Sequence, residues 1–138
     1  MAILCLDNAS VTINSVDLSD HVKSIEIPVD QSVVETTAMS SVGWRTKKGT
    51  LRDFTVSITM LQDYAASNVD ATLWAAFIGT ASVPIIVIPV NAAVTATNPS
   101  FTGNIWINDY KPISGSPGEL SEISMTWTSD GGLTRATS

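Results

Sequence analysis

The chain has 138 residues and a formal net charge of −6, with 44% hydrophobic and 14% charged residues. This length predicts a single domain over residues 1–138 with a sizeable core. The excess of acids argues against a nucleic-acid binder that works by neutralising phosphates. Soluble domains usually contain roughly 25% charged residues. The low charge here is expected either for a chain that packs against other subunits or for a Thr-rich β-sandwich.

No targeting or membrane segment is evident in the sequence. The opening apolar run, residues 1–6, has no basic residues before it and is far shorter than the roughly 20 residues of a membrane span. We therefore expect a chain made and folded in a cytoplasm, with no membrane partner. The single cysteine, Cys5, has no second thiol with which to form an internal disulfide or a metal site.

Short stretches of alternating apolar and polar residues predict strands in the first 30 residues. Residues 10–13 alternate and are followed by an Asn-Ser pair that favours a turn. Residues 16–18 form a short apolar step. Residues 22–29 alternate again, but Pro28 limits their pairing to a sheet edge or a strand end.

A long polar segment, residues 36–52, follows these strands. It contains four cations and no carboxylate, whereas the remaining residues contain three cations and thirteen acids. Its Ser, Thr and Gly residues cannot bury enough apolar surface to offset the entropy lost on ordering. We therefore predict a polar loop at about residues 30–50, mobile in an isolated monomer and ordered against another molecule, with a brief pairing at residues 33–37.

The clearest strand covers residues 51–61, where Phe54, Val56, Ile58 and Met60 alternate with residues that are mostly Ser or Thr. This period of two places one face on a core and the other in a polar setting.

One helix is predicted within residues 63–79. Ser67 or Asn68 is suited to cap its start, and Gly79 suits a left-handed residue at its end. An apolar stripe at helical spacing is predicted to cover one face of a sheet. The stripe consists of Val69, Leu73, Trp74, Phe77 and Ile78. A ligand box formed by the two aromatic residues is the alternative.

Three further strands and a short C-terminal tail are predicted after the helix. The most apolar run, residues 83–90, is bounded by prolines and predicts a buried strand. Residues 101–110 and 120–128 both alternate. An Asp-Gly-Gly turn then leads into a tail at about residues 133–138. The predicted inward residues of the last strand are Ile123, Met125 and Trp127.

Seven or so strands and a single helix predict a mainly β fold, an antiparallel β-sandwich or barrel with one α-helix packed on it. The strands at residues 51–61 and 120–128 carry nearly unbroken Ser and Thr on one side. Such a face suits a sheet that borders either open solvent or a wet, confined space.

Catalytic and metal-binding constellations are not apparent. His21 is the only histidine, and no nucleophile can be tied to it, so we expect a neutral surface residue. The acid pairs Asp17 with Asp20 and Glu119 with Glu122 lack a calcium-loop pattern or histidine ligands. No glycine-rich phosphate loop is present. We therefore predict that the chain is not an enzyme and has no cofactor and no catalytic or metal-binding residues.

Several short motifs gain weight from their order and spacing, and together they cover most of the chain. They are residues 11–22, Leu73-Trp74, Gly79-Thr80, residues 98–103 (Asn-Pro-Ser-Phe-Thr-Gly), Asp109-Tyr110, Pro112, Gly115, Gly118-Glu119, Trp127, Gly132 and Arg135. In this order the motifs resemble the tail tube (major tail) proteins of long-tailed bacteriophages. Two positions depart from that pattern: Ser15 replaces an expected glycine, and Glu119 stands where aspartate is commoner.

The resemblance implies hexameric rings that stack into a tube, with a continuous β-barrel wall and a lumen that passes DNA without specific binding. It also implies a tape measure protein and a tail terminator as partners, and a location in the virion, in the phage tail. A head-to-tail contact joins unlike surfaces and repeats without limit. A cationic loop on an acidic body supplies such surfaces, so we predict that the loop reaches an acidic face of the next ring. The predicted interface residues are Trp44, Arg45, Lys47, Lys48 and Arg52.

A second hypothesis concerns the side chains that line the lumen. Acids and hydroxyl groups on its wall would repel phosphates and keep DNA mobile, because each lysine contact would add a salt-sensitive attraction. Glu122 is the candidate lumen residue, since it lies on the polar face of its strand.

Other classes of protein are compatible with the same pattern. An inner-tube protein of a contractile tail or secretion device would share the sheet and the ring. A tail terminator or head-decoration protein would form one closed ring or trimer that does not elongate. A monomeric carbohydrate-binding sandwich would need aromatics such as Trp44 and Trp106 on one open face.

Overall fold

The computed structural model describes residues 3–39 and 42–138. In these residues, nine strands form one antiparallel sheet that is curled into a half-barrel, with a single helix packed on it. The predicted fold class is therefore confirmed. The strands are β1 (Ser10–Ile13), β2 (Val16–Asp17), β3 (Val22–Glu26), β4 (Val29–Glu35), β5 (Lys47–Leu61), β6 (Val83–Ile88), β7 (Ser100–Trp106), β8 (Glu122–Ser129) and β9 (Thr134–Ala136), and the helix is α1 (Val69–Ile78).

The strand order is β2-β1-β6-β7-β8-β5-β3, with β4 paired to β5 and β9 paired to β7. β5 is the longest strand, with 15 residues. Its C-terminal half pairs with β3 on one side and β8 on the other. Among the described strands, residues 47–54 of β5 pair with β4 alone. β5 therefore belongs to the curled sheet at one end and to a two-stranded ribbon at the other.

The core lies on one face of the sheet, because successive side chains of a strand point to opposite faces. Val56, Ile58 and Met60 of β5 are buried, in the predicted alternation. The inward residues of β8 are also buried as predicted: Ile123, Met125 and Trp127. Val69 and Leu73 of α1 belong to the same hydrophobic cluster, so the helix covers this face.

The helix contradicts part of the predicted stripe. Trp74, Phe77 and Ile78 were expected in the core but are 48%, 45% and 62% exposed. The buried face consists of Val69, Thr72, Leu73 and Ala76. The prediction was wrong because this helix is apolar on nearly all sides, so spacing did not define which residues meet the sheet. Asn68 is the N-cap without a side-chain hydrogen bond, and Gly79 has a φ of −70°, so it is not the predicted left-handed residue.

β6 also differs from the predicted fully buried strand. It alternates between buried and outward residues, with Ile85 buried and Ile86 37% exposed. β6 lies between β1 and β7 in the sheet, so its backbone is paired on both sides while only one face meets the core. Apolar residues on the outer face made the strand look buried from composition alone.

The turn between β1 and β2 places two residues in a left-handed backbone conformation. Asn14 and Ser15 have φ values of 50° and 66°, in the region that glycine adopts without steric cost. This conformation is a physical reason to expect glycine where the chain has Ser15.

Candidate assembly surface

The segment predicted as a polar loop is a β-hairpin over most of its length. β4 pairs with the first half of β5 from Val29 opposite Phe54 to Glu35 opposite Lys47. We call residues 29–53 the arm; every described residue in it is exposed. Side-chain burial, on which the loop prediction rested, does not stabilise this hairpin. The backbone groups of β4 instead gain hydrogen bonds from a strand that the rest of the chain already holds in place.

Hydrogen bonds among threonine residues join the two ends of the segment that connects β4 to β5. The backbone amide of Thr36 donates to the carbonyl oxygen of Thr46 over 2.8 Å, and the amide of Thr46 donates to Thr37 Oγ1 over 2.9 Å. The hydroxyl groups of Thr36 and Thr46 lie 3.0 Å apart. These bonds fix where the two strands join the connecting residues. Residues 40 and 41 of the predicted loop lie outside the described residues.

The arm exposes an unusual amount of apolar surface. Trp44 is 82% exposed, Leu51 81% and Val33 57%. Met39 and Val42, near the tip, are also exposed. Contiguous exposed apolar groups on a soluble chain commonly mark a protein–protein contact. The arm therefore has the composition of an interface and not of a solvated loop.

All five predicted interface residues lie on this arm and are exposed: Trp44, Arg45, Lys47, Lys48 and Arg52. The fold brings one acid from outside the cationic segment, Glu35 of β4, next to these residues. Its Oε1 lies 3.7 Å from Arg45 Nε. Arg52 stands opposite an uncharged residue, Gln31. Lys48 stands opposite Val34 and forms no ion pair among the residues the structure describes. The arm thus keeps an excess of positive charge near its tip.

A ladder of hydroxyl groups covers the outer face of the sheet where β5 and β8 pair. Thr59 Oγ1 and Ser124 Oγ lie 3.0 Å apart, and Ser57 Oγ and Thr126 Oγ1 lie 3.5 Å apart. In each pair the two residues stand directly opposite each other in the strand register. The prediction of a Ser- and Thr-rich face on these two strands is therefore confirmed.

Glu122 lies at the end of this polar face, where β8 begins. Its Oε1 is 2.5 Å from Lys23 Nζ of β3, and both side chains are close to half exposed. The charge of Glu122, the candidate lumen residue, is therefore compensated by Lys23, and the sequence did not predict this pairing. Hydroxyl groups, more than free carboxylates, define the chemistry of this face.

A shallow groove of about 470 Å³ crosses the same face. After β7 ends, Asp109 and Lys111 run beside β8 and bond to its backbone. The amide of Thr126 donates to Asp109 Oδ2 over 3.3 Å, and Lys111 Nζ donates to the carbonyl oxygen of Ser124 over 2.6 Å. Two side chains thus replace a strand ladder at this edge of β8. The backbone carbonyl of Asp109 also accepts a 2.8 Å bond from Trp127 Nε1, which fixes this segment against β8.

His21 is not a free surface histidine, contrary to expectation. Its side chain is 17% exposed, with Nε2 2.8 Å from Asp63 Oδ2 and Nδ1 2.9 Å from Asp20 Oδ1. The Nδ1 contact has ion-pair distance but not hydrogen-bond geometry. The amide of Ala65 and the His21 ring, both bonded to Asp63, hold the pKa of that carboxyl below its usual value of 3.8. The histidine ends a short 3₁₀ helix, Ser19–His21, and ties it to the segment that follows β5, where it faces two acids.

A second apolar surface surrounds the exposed side of α1. The rings of Trp74 and Phe77 stack at a centroid distance of 5.8 Å, and Tyr110 lies 6.5 Å from Trp74. The hydroxyl of Tyr110 donates to Asp70 Oδ1 over 2.5 Å and accepts from Gln62 Nε2 over 3.1 Å. Burial and the Asp70 carboxylate raise the pKa of Tyr110 to about 12. Sequence reasoning missed this surface because it assigned the aromatics to the core.

Residues 3–39 and 42–138 contain neither a metal-binding cluster nor a membrane-spanning helix. No group of three or more His, Cys, Asp or Glu side chains there is arranged to hold a metal ion. No helix in that part of the chain is long and apolar enough to cross a membrane. In the described aromatics, Trp44 and Trp106 make no ring contact with each other.

Comparison with protein-family models finds no match, and comparison with curated protein sequences finds none either. Solved structures, in contrast, share the fold. One is a chain from the virion of a native gene transfer agent (GTA) particle, with a TM-score of 0.74 and 16% identity over 94% of this chain and 95% of that chain. Another comes from the tail of an empty GTA particle with C6 symmetry, with a TM-score of 0.66 and 19% identity over 83% of this chain and 81% of that chain.

Proposed function

We propose that this chain is a structural virion protein that forms hexameric rings and that these rings stack into a tail tube. The observation that carries the proposal is the arm, a ribbon of exposed apolar and cationic residues that leaves an acidic body. The shared fold with a chain from a C6-symmetric GTA tail supports the same assignment. A sheet of this kind would supply one sector of the tube wall.

Stacking requires two unlike surfaces on each subunit, so that a ring binds the next ring by the contact that bound it to the previous one. The arm and the body differ in charge and in shape, which meets this requirement. An exposed ion pair is worth only about 0 to 1 kcal/mol. Charge is therefore proposed to guide the register, while burial of Trp44 and its apolar neighbours holds the rings together.

The hydroxyl ladder of β5 and β8 is proposed to face the lumen. Ser and Thr hydroxyls offer no fixed positive charge to phosphate, and Glu122 offsets the charge of Lys23 on the same face. DNA would pass such a wall without a salt-sensitive attraction. Tight binding of DNA by assembled tubes at low salt would contradict this part of the proposal.

The remaining implications follow from the tube. The protein would be made in the host cytoplasm and located in the tail of the virion. Its partners would be its own copies, a tape measure protein in the lumen and a tail terminator at the end of the tube. It would have no enzymatic activity and no cofactor.

The proposal is tested by reversing charge at the arm. Purified wild-type protein is expected to form tubes in negative-stain electron microscopy. The double variant Lys47→Glu/Lys48→Glu is expected to form rings or monomers instead, because the contact between arm and acidic body becomes repulsive. The single variant Arg135→Glu makes the same change of charge in β9, away from the arm. Compared with Lys48→Glu alone, it controls for net charge and should still elongate.

Other assemblies have distinct appearances in the same experiment. Normal tubes from the Lys47→Glu/Lys48→Glu variant would refute the role of the arm. A wild-type protein that forms one closed ring and never elongates would indicate a terminator or decoration role. A protein that stays monomeric at high concentration would contradict the proposed function.

A further inference from the structure

The base of the arm holds two acids directly opposite each other. Asp30 of β4 and Asp53 of β5 are register partners in an antiparallel pair. Directly opposed side chains in such a pair have Cβ atoms about 4.5 to 5.5 Å apart, and like charges at these positions repel. The base of the arm is therefore an anionic site that costs stability unless a cation approaches it.

The fold supplies no cation for this pair. Asp53 Oδ1 accepts hydrogen bonds from Ser129 Oγ over 2.5 Å and from the amide of Phe54 over 3.0 Å, which orient the carboxylate but leave its charge. Within residues 3–39 and 42–138, neither Asp30 nor Asp53 forms an ion pair. By contrast, Glu122 is paired with Lys23. The opposed acids at the base are thus left with uncompensated charge among the described residues.

The cations near the tip are too far away to neutralise these acids. Glu35, which stands opposite Lys47, lies five residues along β4 from Asp30. At about 3.3 Å per residue this is about 17 Å, well beyond the Debye length of roughly 8 Å at physiological salt. Arg52 adjoins Asp53 in sequence, but successive side chains of a strand point to opposite faces. Arg52 therefore lies on the other face of the ribbon, and it forms no ion pair with either acid among the described residues. The acid pair and the cations near the tip are thus separate charged groups that do not cancel.

Apolar groups at the two ends are complementary as well. Val29 and Leu51, next to the acid pair, are 59% and 81% exposed. Trp44, next to Arg45 near the tip, is 82% exposed. A tip placed on a base would bury the indole ring against aliphatic side chains while it brings cations to carboxylates.

We propose that the base of the arm, at Asp30 and Asp53, receives the arm tip of a second copy of this chain, with Lys48 facing the acids and Trp44 covering Leu51. This rests on the proposed function and names the acidic surface that the arm of the adjacent ring contacts. The contact joins unlike ends, so it repeats from copy to copy without closing. It sets the axial offset between copies at the length of the arm.

The test is a charge swap read by the critical concentration for polymer formation in sedimentation. Asp30→Lys and Lys48→Glu, each alone, are expected to raise the critical concentration about tenfold, because one attractive contact per subunit becomes repulsive. The combined variant restores opposite charges and is expected to return to within about threefold of wild type. Asp53 is left unchanged because of its bonds to Ser129 and Phe54.

Controls separate this contact from general effects of charge and folding. Asp130→Lys changes an exposed acid in the turn after β8 and is expected to leave the critical concentration unchanged. Circular dichroism should show that all variants keep the wild-type spectrum. An unchanged critical concentration for Asp30→Lys, or a combined variant that stays as weak as the single ones, would overturn the inference while wild-type tubes would leave the proposed function intact.

A second measurement does not require long polymers. In a Cys5→Ser background, chains carrying Asp30→Cys are mixed with chains carrying Lys48→Cys and oxidised. The mixed disulfide is expected to exceed both homodimers several-fold. Random pairing gives the mixed disulfide in about twice the amount of either homodimer, so that ratio would show that the tip does not visit the base, whatever the form of the assembly.

Discussion

The two halves of β5 are continuous in sequence and in backbone pairing, but they differ in what stabilises them. From Phe54 to Leu61 the strand buries every second side chain, and residues 57–60 have partners on both sides. From Lys47 to Asp53 it has β4 as its partner and buries none. The comparison shows that backbone pairing with β4 is enough to extend β5 out of the domain as a hairpin. The apolar side chains of this hairpin remain exposed and are available to another molecule.

The largest expected effect separates these two halves directly. Ile58→Ala removes a side chain that is 2% exposed and is expected to lower the free energy of unfolding by about 2 to 5 kcal/mol. Leu51→Ala, on the same strand but 81% exposed, is expected to change it by no more than about 0.5 kcal/mol. Chemical denaturation followed by circular dichroism measures both.

Assembly should show the reverse order: Leu51→Ala is expected to weaken it more than Ile58→Ala does. A monomer in which Leu51→Ala and Ile58→Ala cost the same would mean that the arm packs on the body of its own chain. That result would remove the distinction between arm and body.

A smaller effect is expected where the arm joins the body. A Cβ atom at Gly103 of β7 would lie 2.6 Å from Phe54 Cζ and 3.4 Å from the carbonyl oxygen of Gly132. Phe54 is 3% exposed, so its ring has little room to move. Gly103→Ala is expected to destabilise the chain by about 1 to 3 kcal/mol, as overpacking of a core commonly does.

Gly132→Ala is the matched control for this substitution, because a Cβ atom there meets nothing within 4 Å. Both variants are compared by thermal unfolding. If Gly103→Ala unfolds at the same temperature as Gly132→Ala, the contact between β7 and Phe54 does not limit the packing at the junction.

The smallest effect concerns pH and is confined to the body. The pKa of Asp63 is lowered by the amide of Ala65 and by His21, and that of Asp17 by the side chain and the amide of Ser19. A carboxyl with a lowered folded-state pKa stabilises the fold above its unfolded pKa, near 3.8, and loses this as pH falls through the folded-state pKa. Stability should therefore decline below about pH 3.8.

Asp63→Asn is expected to make this decline shallower, because one carboxyl no longer takes up a proton on unfolding. The measurement is the denaturation midpoint of both proteins between neutral and acidic pH. An Asp63→Asn variant with the same pH dependence as wild type would exclude Asp63 as a contributor.

Much of the fold was predictable because alternation with a period of two is a local property. β8 and the C-terminal half of β5 show it clearly, and their inward residues are buried as expected. α1 was predicted as a helix, but its buried face was not, since a helix that is apolar on all sides does not indicate which residues meet the sheet. The aromatic surface at Trp74 was missed for the same reason.

The candidate site was predictable in composition but not in form. The cationic residues and Trp44 were identified from the sequence, and all lie on the exposed arm. The hairpin itself was not predicted, because its strands satisfy no burial pattern. The pairing of Glu122 with Lys23 joins β8 to β3 across a long sequence separation, which no local pattern contains.

By itself, the sequence determined the strand periodicity, the two-sided distribution of charge and the core-facing residues of β5 and β8, since each depends on neighbours within a few positions. Only the tertiary structure decided that β4 extends β5 into an arm, that Asp30 meets Asp53 and that Trp44 stays uncovered. The arm and the Asp30–Asp53 pair depend on strand register, and the exposure of Trp44 depends on which segments pack around it. Both are set by contacts between segments far apart in the chain.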